Sequence, residues 1–132
     1  MTQGNKIKVA IIGVGNCASS LVQGVFKYRD APVDELIPGL MHPVMGKYHI
    51  GDIEFVAAFD IDSNKVGKDL SEAIFEAPNN TYKFQDVPKL GVPVNRGMTH
   101  DGLGKYLSEI ITKAPGETDN VCLLYTSDAA DE

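Results

Sequence analysis

Apolar positions along the chain fall into two alternating patterns. Val9-Ala10-Ile11-Ile12 is a short unbroken apolar run that ends at Gly13. Such a run suits a strand buried on both faces of a parallel sheet. Directly after it, Ala18, Leu21, Val22, Val25 and Phe26 recur at helical spacing and form one apolar stripe. Lys27 and Arg29 fall in the last turn, where the helix dipole favours positive charge. Ile53 to Phe59 returns to strand character, with Phe55, Val56 and Phe59 as β-formers and Asp60 at the C-terminal end. Asp62 or Ser63 can cap a second helix. Val66, Leu70, Ala73, Ile74 and Ala77 give that helix its apolar face, and Pro78 stops it. Residues 78–91 read as loop. Val92 to Asn95 suits a short third strand, weakened by Pro93. Residues 104–113 suit a third helix, with Leu103, Leu107, Ile110 and Ile111 on one side. Strand and helix alternate, which predicts an α/β fold with a parallel sheet and right-handed crossovers.

Residues 30–52 break the alternation. Pro32, Pro38 and Pro43 interrupt them, and Gly39, Gly46 and Gly51 punctuate them. This inserted loop of about twenty residues is longer than the usual connection, and loops of that size are usually functional.

Composition narrows the classes. The chain has 132 residues, which fits one domain. Its 43% hydrophobic and 23% charged content is that of a globular protein. A formal charge of −6 argues against a general nucleic-acid binder or a basic membrane-surface protein. No apolar run approaches the ~20 residues of a membrane span, and no signal peptide is evident. Two cysteines make no disulfide framework, so a cytoplasmic setting is expected.

The thirteen glycines matter by position. Gly13-Val14-Gly15-Asn16-Cys17-Ala18 is a G-x-G-x-x-A element between the first strand and the first helix. The first glycine allows the tight turn. The second lets backbone approach a pyrophosphate, and the small third residue lets helix and strand pack closely. The helix N-terminus then turns free N–H groups and a positive dipole end toward phosphate. The strand-loop-helix context favours a dinucleotide-binding loop over a plain helix start that needs glycine to turn.

Asp60 completes that reading. An acidic side chain at the end of the second strand can bond the adenosine ribose hydroxyls, and it would repel the extra phosphate of NADP. Asp60 lies 47 residues after Gly13, whereas a compact unit places this residue about 20 on. The inserted loop accounts for the excess.

Other candidates are weaker. Cys17, at a helix N-terminus, could be acidified there, but its small size beside the loop is the simpler reason for it. His42, His49 and His100 are scattered without paired ligand spacing, so no metal is expected on them. Gly102-Leu103-Gly104-Lys105 is not a phosphate loop, because Thr99 and Tyr106 stand where glycine and Ser or Thr are required. Asn79-Asn80-Thr81 matches a glycosylation sequon without other signs of secretion.

Taken together, the motifs resemble inositol-3-phosphate synthase (myo-inositol-1-phosphate synthase) of the compact prokaryotic type. The resemblance is carried by VAIIGVGNCASSLVQG at 9–24, PGLMH at 38–42, FVAAFDID at 55–62, KVGKDLSEAIF at 65–75, NNT at 79–81 and RGMTHDGLGKY at 96–106. It spans about residues 6–121.

The resemblance implies an NAD-dependent isomerase that converts glucose 6-phosphate to inositol 3-phosphate, feeding inositol and phospholipid biosynthesis. NAD is restored at the end of that reaction. It also implies an incomplete Rossmann-type sheet over residues 1–121, with a homotetramer in the full-length enzyme. Gly13, Val14, Gly15, Asn16, Cys17 and Ala18 would hold the pyrophosphate. Asp60, with Asp62 and Asp69, would belong to the adenosine side. The family's catalytic lysines fall beyond this stretch, so no residue here is expected to be catalytic and the fragment itself is expected to be inactive. A non-catalytic NAD(H)-binding module and another NAD-dependent oxidoreductase are the alternatives. The second leaves PGLMH and KDLSEAIF without a reason.

Residues 122–132, Cys-Leu-Leu-Tyr-Thr-Ser-Asp-Ala-Ala-Asp-Glu, look like an in-frame translation of a transposase adapter, and are expected to be non-native. Without Asp128, Asp131 and Glu132 the net charge is halved, and Cys17 is the only cysteine.

Overall fold

A computed structural model describes residues 6–97. The predicted third helix at 104–113 and the tail at 122–132 lie outside the described residues.

Three parallel strands make the main sheet: β1 (Ile7–Ile12), β4 (Ile53–Asp60) and β5 (Val94–Arg96), in the order β1-β4-β5. This is the incomplete Rossmann-type α/β arrangement that the sequence predicts. The helix α1 (Asn16–Tyr28) follows β1 directly. Its inward face differs from the predicted stripe. Ala18, Val22 and Val25 are buried as expected, but Ser19 and Gln23 are buried beside them and Leu21 is exposed.

Between β1 and β4 the register slips once. Val9 stands opposite Phe55, and Ala10 stands opposite Ala57, so Val56 is an extra residue in β4. A bulge of this kind shifts the inside-outside alternation by one. Phe55 and Ala58 therefore share the side of Val9 and Ile11, although they are an odd number of residues apart. The core is built there, from Ile11, Val14, Val22, Val25, Phe55, Ala58, Leu70, Ile74 and Val94.

The inserted loop is partly ordered. A short antiparallel hairpin, β2 (Val44–Met45) and β3 (Tyr48–His49), leads through a 3-10 turn at Ile50–Asp52 into β4. His49 organises that turn. Its Nδ1 accepts the Gly51 N–H at 2.9 Å, so the proton sits on Nε2, which donates to the Ala31 carbonyl at 2.7 Å. Gly51 packs so tightly that a Cβ there would lie 2.5 Å from the Arg29 carbonyl oxygen. His49 is thus a strut for the insertion. Among the described residues no group of His, Cys, Asp and Glu could hold a metal.

The second helix is much shorter than its apolar pattern predicts, and Asp69 rather than Asp62 or Ser63 caps it. Only Leu70–Ala73 form α2. The cause lies at Gly67, whose φ of +91° ends the turns that begin at Asp62. The Gly67 N–H then donates to the Val94 carbonyl, and the Val94 N–H donates to the Lys68 carbonyl. Residues 67–68 thereby pair with β5 instead of continuing a helix. Pro93 stays outside the strand, which begins at Val94.

Candidate functional site

The glycine loop runs from the end of β1 into α1. Gly13 has φ +96°, a conformation that side chains other than glycine rarely adopt. Gly15 is different. It has φ −97°, and a Cβ built on it meets nothing within 4 Å. The fold therefore explains a glycine at 13 and gives no reason for one at 15. The open space over Gly15 fits close approach by a ligand. Val14, between them, is fully buried and anchors the loop in the core.

Hydrogen bonds fix the rest of the loop. The Gly13 N–H donates to the Phe59 carbonyl at 2.8 Å. The Val14 N–H donates to Asp60 Oδ2 at 2.7 Å. Asp60 Oδ1 accepts from the Ile61 and Asp62 N–H groups at 2.6 and 2.9 Å. A carboxylate offers about four lone-pair sites. Three are used within the chain, which leaves one acceptor position on Oδ2. The bulge at Val56 is what brings Asp60 round to this side, since Asp60 and Ala58 share a face.

No side chain caps α1. The N–H groups of its first turn, on Asn16, Cys17 and Ala18, start at the open Gly15. This arrangement can accept an anion through helix N–H groups and dipole. Ala18 is nearly buried against the sheet, as a close-packing residue should be, whereas Cys17 is an exposed free thiol.

The other two predicted acids go elsewhere. Asp62 is 1% exposed. Its Oδ1 accepts the Asn64 N–H at 2.9 Å, and its Oδ2 has no hydrogen-bond partner among the described residues. In this conformation a ligand cannot reach it. Asp69 caps α2 and ties it to the 90–92 segment. Its carboxylate accepts from the Ser71 N–H, the Ser71 hydroxyl, the Leu90 N–H and the Val92 N–H. Burial alone would raise the Asp69 pKa. The Ser71 hydroxyl and the three backbone N–H donors outweigh it and hold the carboxyl below its ordinary range. Three of these donors meet Oδ2 and one meets Oδ1, so Asp69 holds α2 and the 90–92 segment together.

Asn79-Asn80-Thr81, which reads as a loop tripeptide in the sequence, packs directly on the glycine loop. Asn79 Nδ2 donates to the Val14 carbonyl at 3.1 Å, and its Oδ1 accepts from the buried Lys65 ammonium at 2.9 Å. Asn16 Oδ1 accepts from the Asn80 N–H, the Thr81 N–H and the Thr81 hydroxyl at 2.9, 3.1 and 2.7 Å. Next to this clasp, buried Gln23 accepts the Phe84 and Gln85 N–H groups at 2.8 and 3.2 Å, which ties the same loop to α1. The only sequence signal for these contacts is indirect: amide side chains on a helix face otherwise apolar, and in a loop otherwise unremarkable.

No family model matches the chain. The chain is 57% identical over 116 residues to inositol-3-phosphate synthase of Mycolicibacterium smegmatis, covering 88% of this chain and 32% of that one. The figures are 53% over 116 residues, 88% and 32% for the enzyme of Mycobacterium tuberculosis strain H37Rv. They are 54% over 115 residues, 87% and 32% for that of Corynebacterium glutamicum. Over these residues the chain is similar to the inositol-3-phosphate synthases. It spans about a third of the length of these relatives. In structure it resembles the crystal structure of Ari2, with a TM-score of 0.64 and 36% identity, covering 71% of this chain and 29% of that one. Among the described residues no helix is long and apolar enough to cross a membrane.

Proposed function

We propose that this stretch is the NAD-binding part of an inositol-3-phosphate synthase, whose whole chain converts glucose 6-phosphate to inositol 3-phosphate. The observation that carries the reading is the glycine loop. Its buried half is pinned to β4 and Asp60, while its open half, from Gly15 to Ala18, presents uncapped helix N–H groups beneath free space. Gly13 to Ala18 would hold the pyrophosphate, and the remaining acceptor position on Asp60 would take a ribose hydroxyl. NAD, when bound, supplies reversible hydride acceptance. The residues of this chain bind and orient it. Asp60 disfavours a 2′-phosphate through charge repulsion. The sugar-phosphate substrate, the catalytic groups and the homotetramer belong, in this proposal, to the whole enzyme.

Titration of the 15N-labelled chain with NAD and with NADP tests the binding half. NAD should shift the amide signals of residues 13–18, NADP should do so far less, and Gly15→Val should abolish the response. Equal binding of both nucleotides, or shifts confined to other residues, would refute it. Assay of the whole gene product for inositol phosphate tests the enzymatic half.

A further inference from the structure

Gly13, Val14 and Asn16 are tied down by groups far away in sequence, and those groups come from one tripeptide as much as from β4. Both backbone polar groups of Val14 are held, its N–H by Asp60 and its carbonyl by Asn79. Asn79 is itself held by Lys65, a nearly buried ammonium that polarises the amide it bonds. On the solvent side, Asn16 Oδ1 is saturated by Asn80 and Thr81, and Asn16 Nδ2 donates back to Asn80 Oδ1 at 3.0 Å. Asn16 is the first residue of α1 and begins the turn whose N–H groups remain open. None of these bonds is needed to close a helix or a sheet. Their common effect is to hold the two ends of the Gly15 opening at a set separation.

We infer that Asn79-Asn80-Thr81 is a clasp that presets the glycine loop for the cofactor pyrophosphate, with Asn79 and Thr81 as positioning residues. The inference rests on the NAD-binding reading above. A loop held in its bound shape loses less freedom on binding, so the clasp acts on affinity rather than on contact with the ligand. Its influence is confined to the pyrophosphate. The adenosine end is governed by Asp60, which the tripeptide does not touch.

The test compares the whole 132-residue chain with Thr81→Val, Thr81→Ser and Asn79→Asp variants, each titrated with NAD and with adenosine. Thr81 is partly exposed, so loss of its hydroxyl leaves the core intact. Removing one such bond should weaken NAD about three- to tenfold. Adenosine should bind each variant as it binds the parent chain, and Thr81→Ser should restore NAD affinity. Asn79→Asp should also shift the Gly15 amide signal, because Gly15 N shares a peptide group with the Val14 carbonyl that loses its donor, a readout that needs no ligand. Equal losses for NAD and adenosine, or no change for either, would overturn the clasp while leaving NAD binding in place. Failure of the folded parent chain to bind NAD would remove the binding reading, and the clasp with it.

Discussion

The Val14 backbone N–H and the Asp60 carboxylate meet at 2.7 Å across 46 residues of sequence. This bond joins the glycine loop to the end of the neighbouring strand before any ligand arrives. It also leaves Asp60 one acceptor position, the one proposed for a ribose hydroxyl. Asp60→Ala should therefore cost about 2 kcal/mol of stability, the order expected for hydrogen bonds to a charged acceptor. It should also weaken NAD. Urea denaturation paired with an NAD titration measures both. Unchanged stability would mean that the Val14 bond contributes nothing to the fold.

The two loop glycines should separate stability from affinity. Gly13→Ala places a side chain at φ +96° and should cost about 1–3 kcal/mol. Gly15→Ala meets open space at an ordinary φ, so its stability cost should stay below about 1 kcal/mol, the range of an N-cap change. Its NAD affinity should nevertheless fall. Thermal melts with and without NAD distinguish the two variants, and a stability loss at Gly15 as large as that at Gly13 would contradict the assignment.

Asp69 should give the chain an acid-sensitive element. Its pKa is depressed in the folded state, so its stabilising contribution is complete above the ordinary carboxylate value of about 4. That contribution is lost as pH falls through the folded-state pKa. Asp69→Asn mimics the protonated form. The difference in urea midpoint between the parent chain and this variant should be large at pH 7 and shrink at pH 3. A difference independent of pH would show that charge at Asp69 is irrelevant.

Gln23 should matter more than a polar residue on a helix usually does. It is fully buried and accepts two N–H groups from the 84–85 loop. Gln23→Leu keeps the volume and strands those donors, which should cost about 1–3 kcal/mol. Limited proteolysis should then cut residues 82–91 faster than in the parent chain, at unchanged α1 content by circular dichroism.

The local parts of this site were legible in the sequence, and the parts assembled across the chain were not. Gly13 to Ala18 announce themselves because turn, close approach and packing each demand a small residue at a set spacing. Asp60 is legible as a strand-end acid, but its partner Val14 is not, because backbone amides leave no trace in sequence. The pattern from Val66 to Ala77 reads as a long helix because periodicity is blind to Gly67 pairing with β5. Gln23 escapes because its partners are residues 82–85, more than fifty positions away, and Ser19 is bonded to it. Val56-Ala57-Ala58 is an unbroken small apolar run, and such a run has no period from which a bulge could be read.

That bulge has a consequence for how this chain tolerates change. β4 carries two messages in different reading frames: Phe55 is written in the frame of the first half of the strand, and Ala58 and Asp60 in the frame of the second. Deleting Val56 would merge the frames. Either Phe55 would turn out of the core or Asp60 would turn away from Val14, and no substitution of side chains alone could restore both. The extra residue is therefore a spacer whose length matters more than its chemistry.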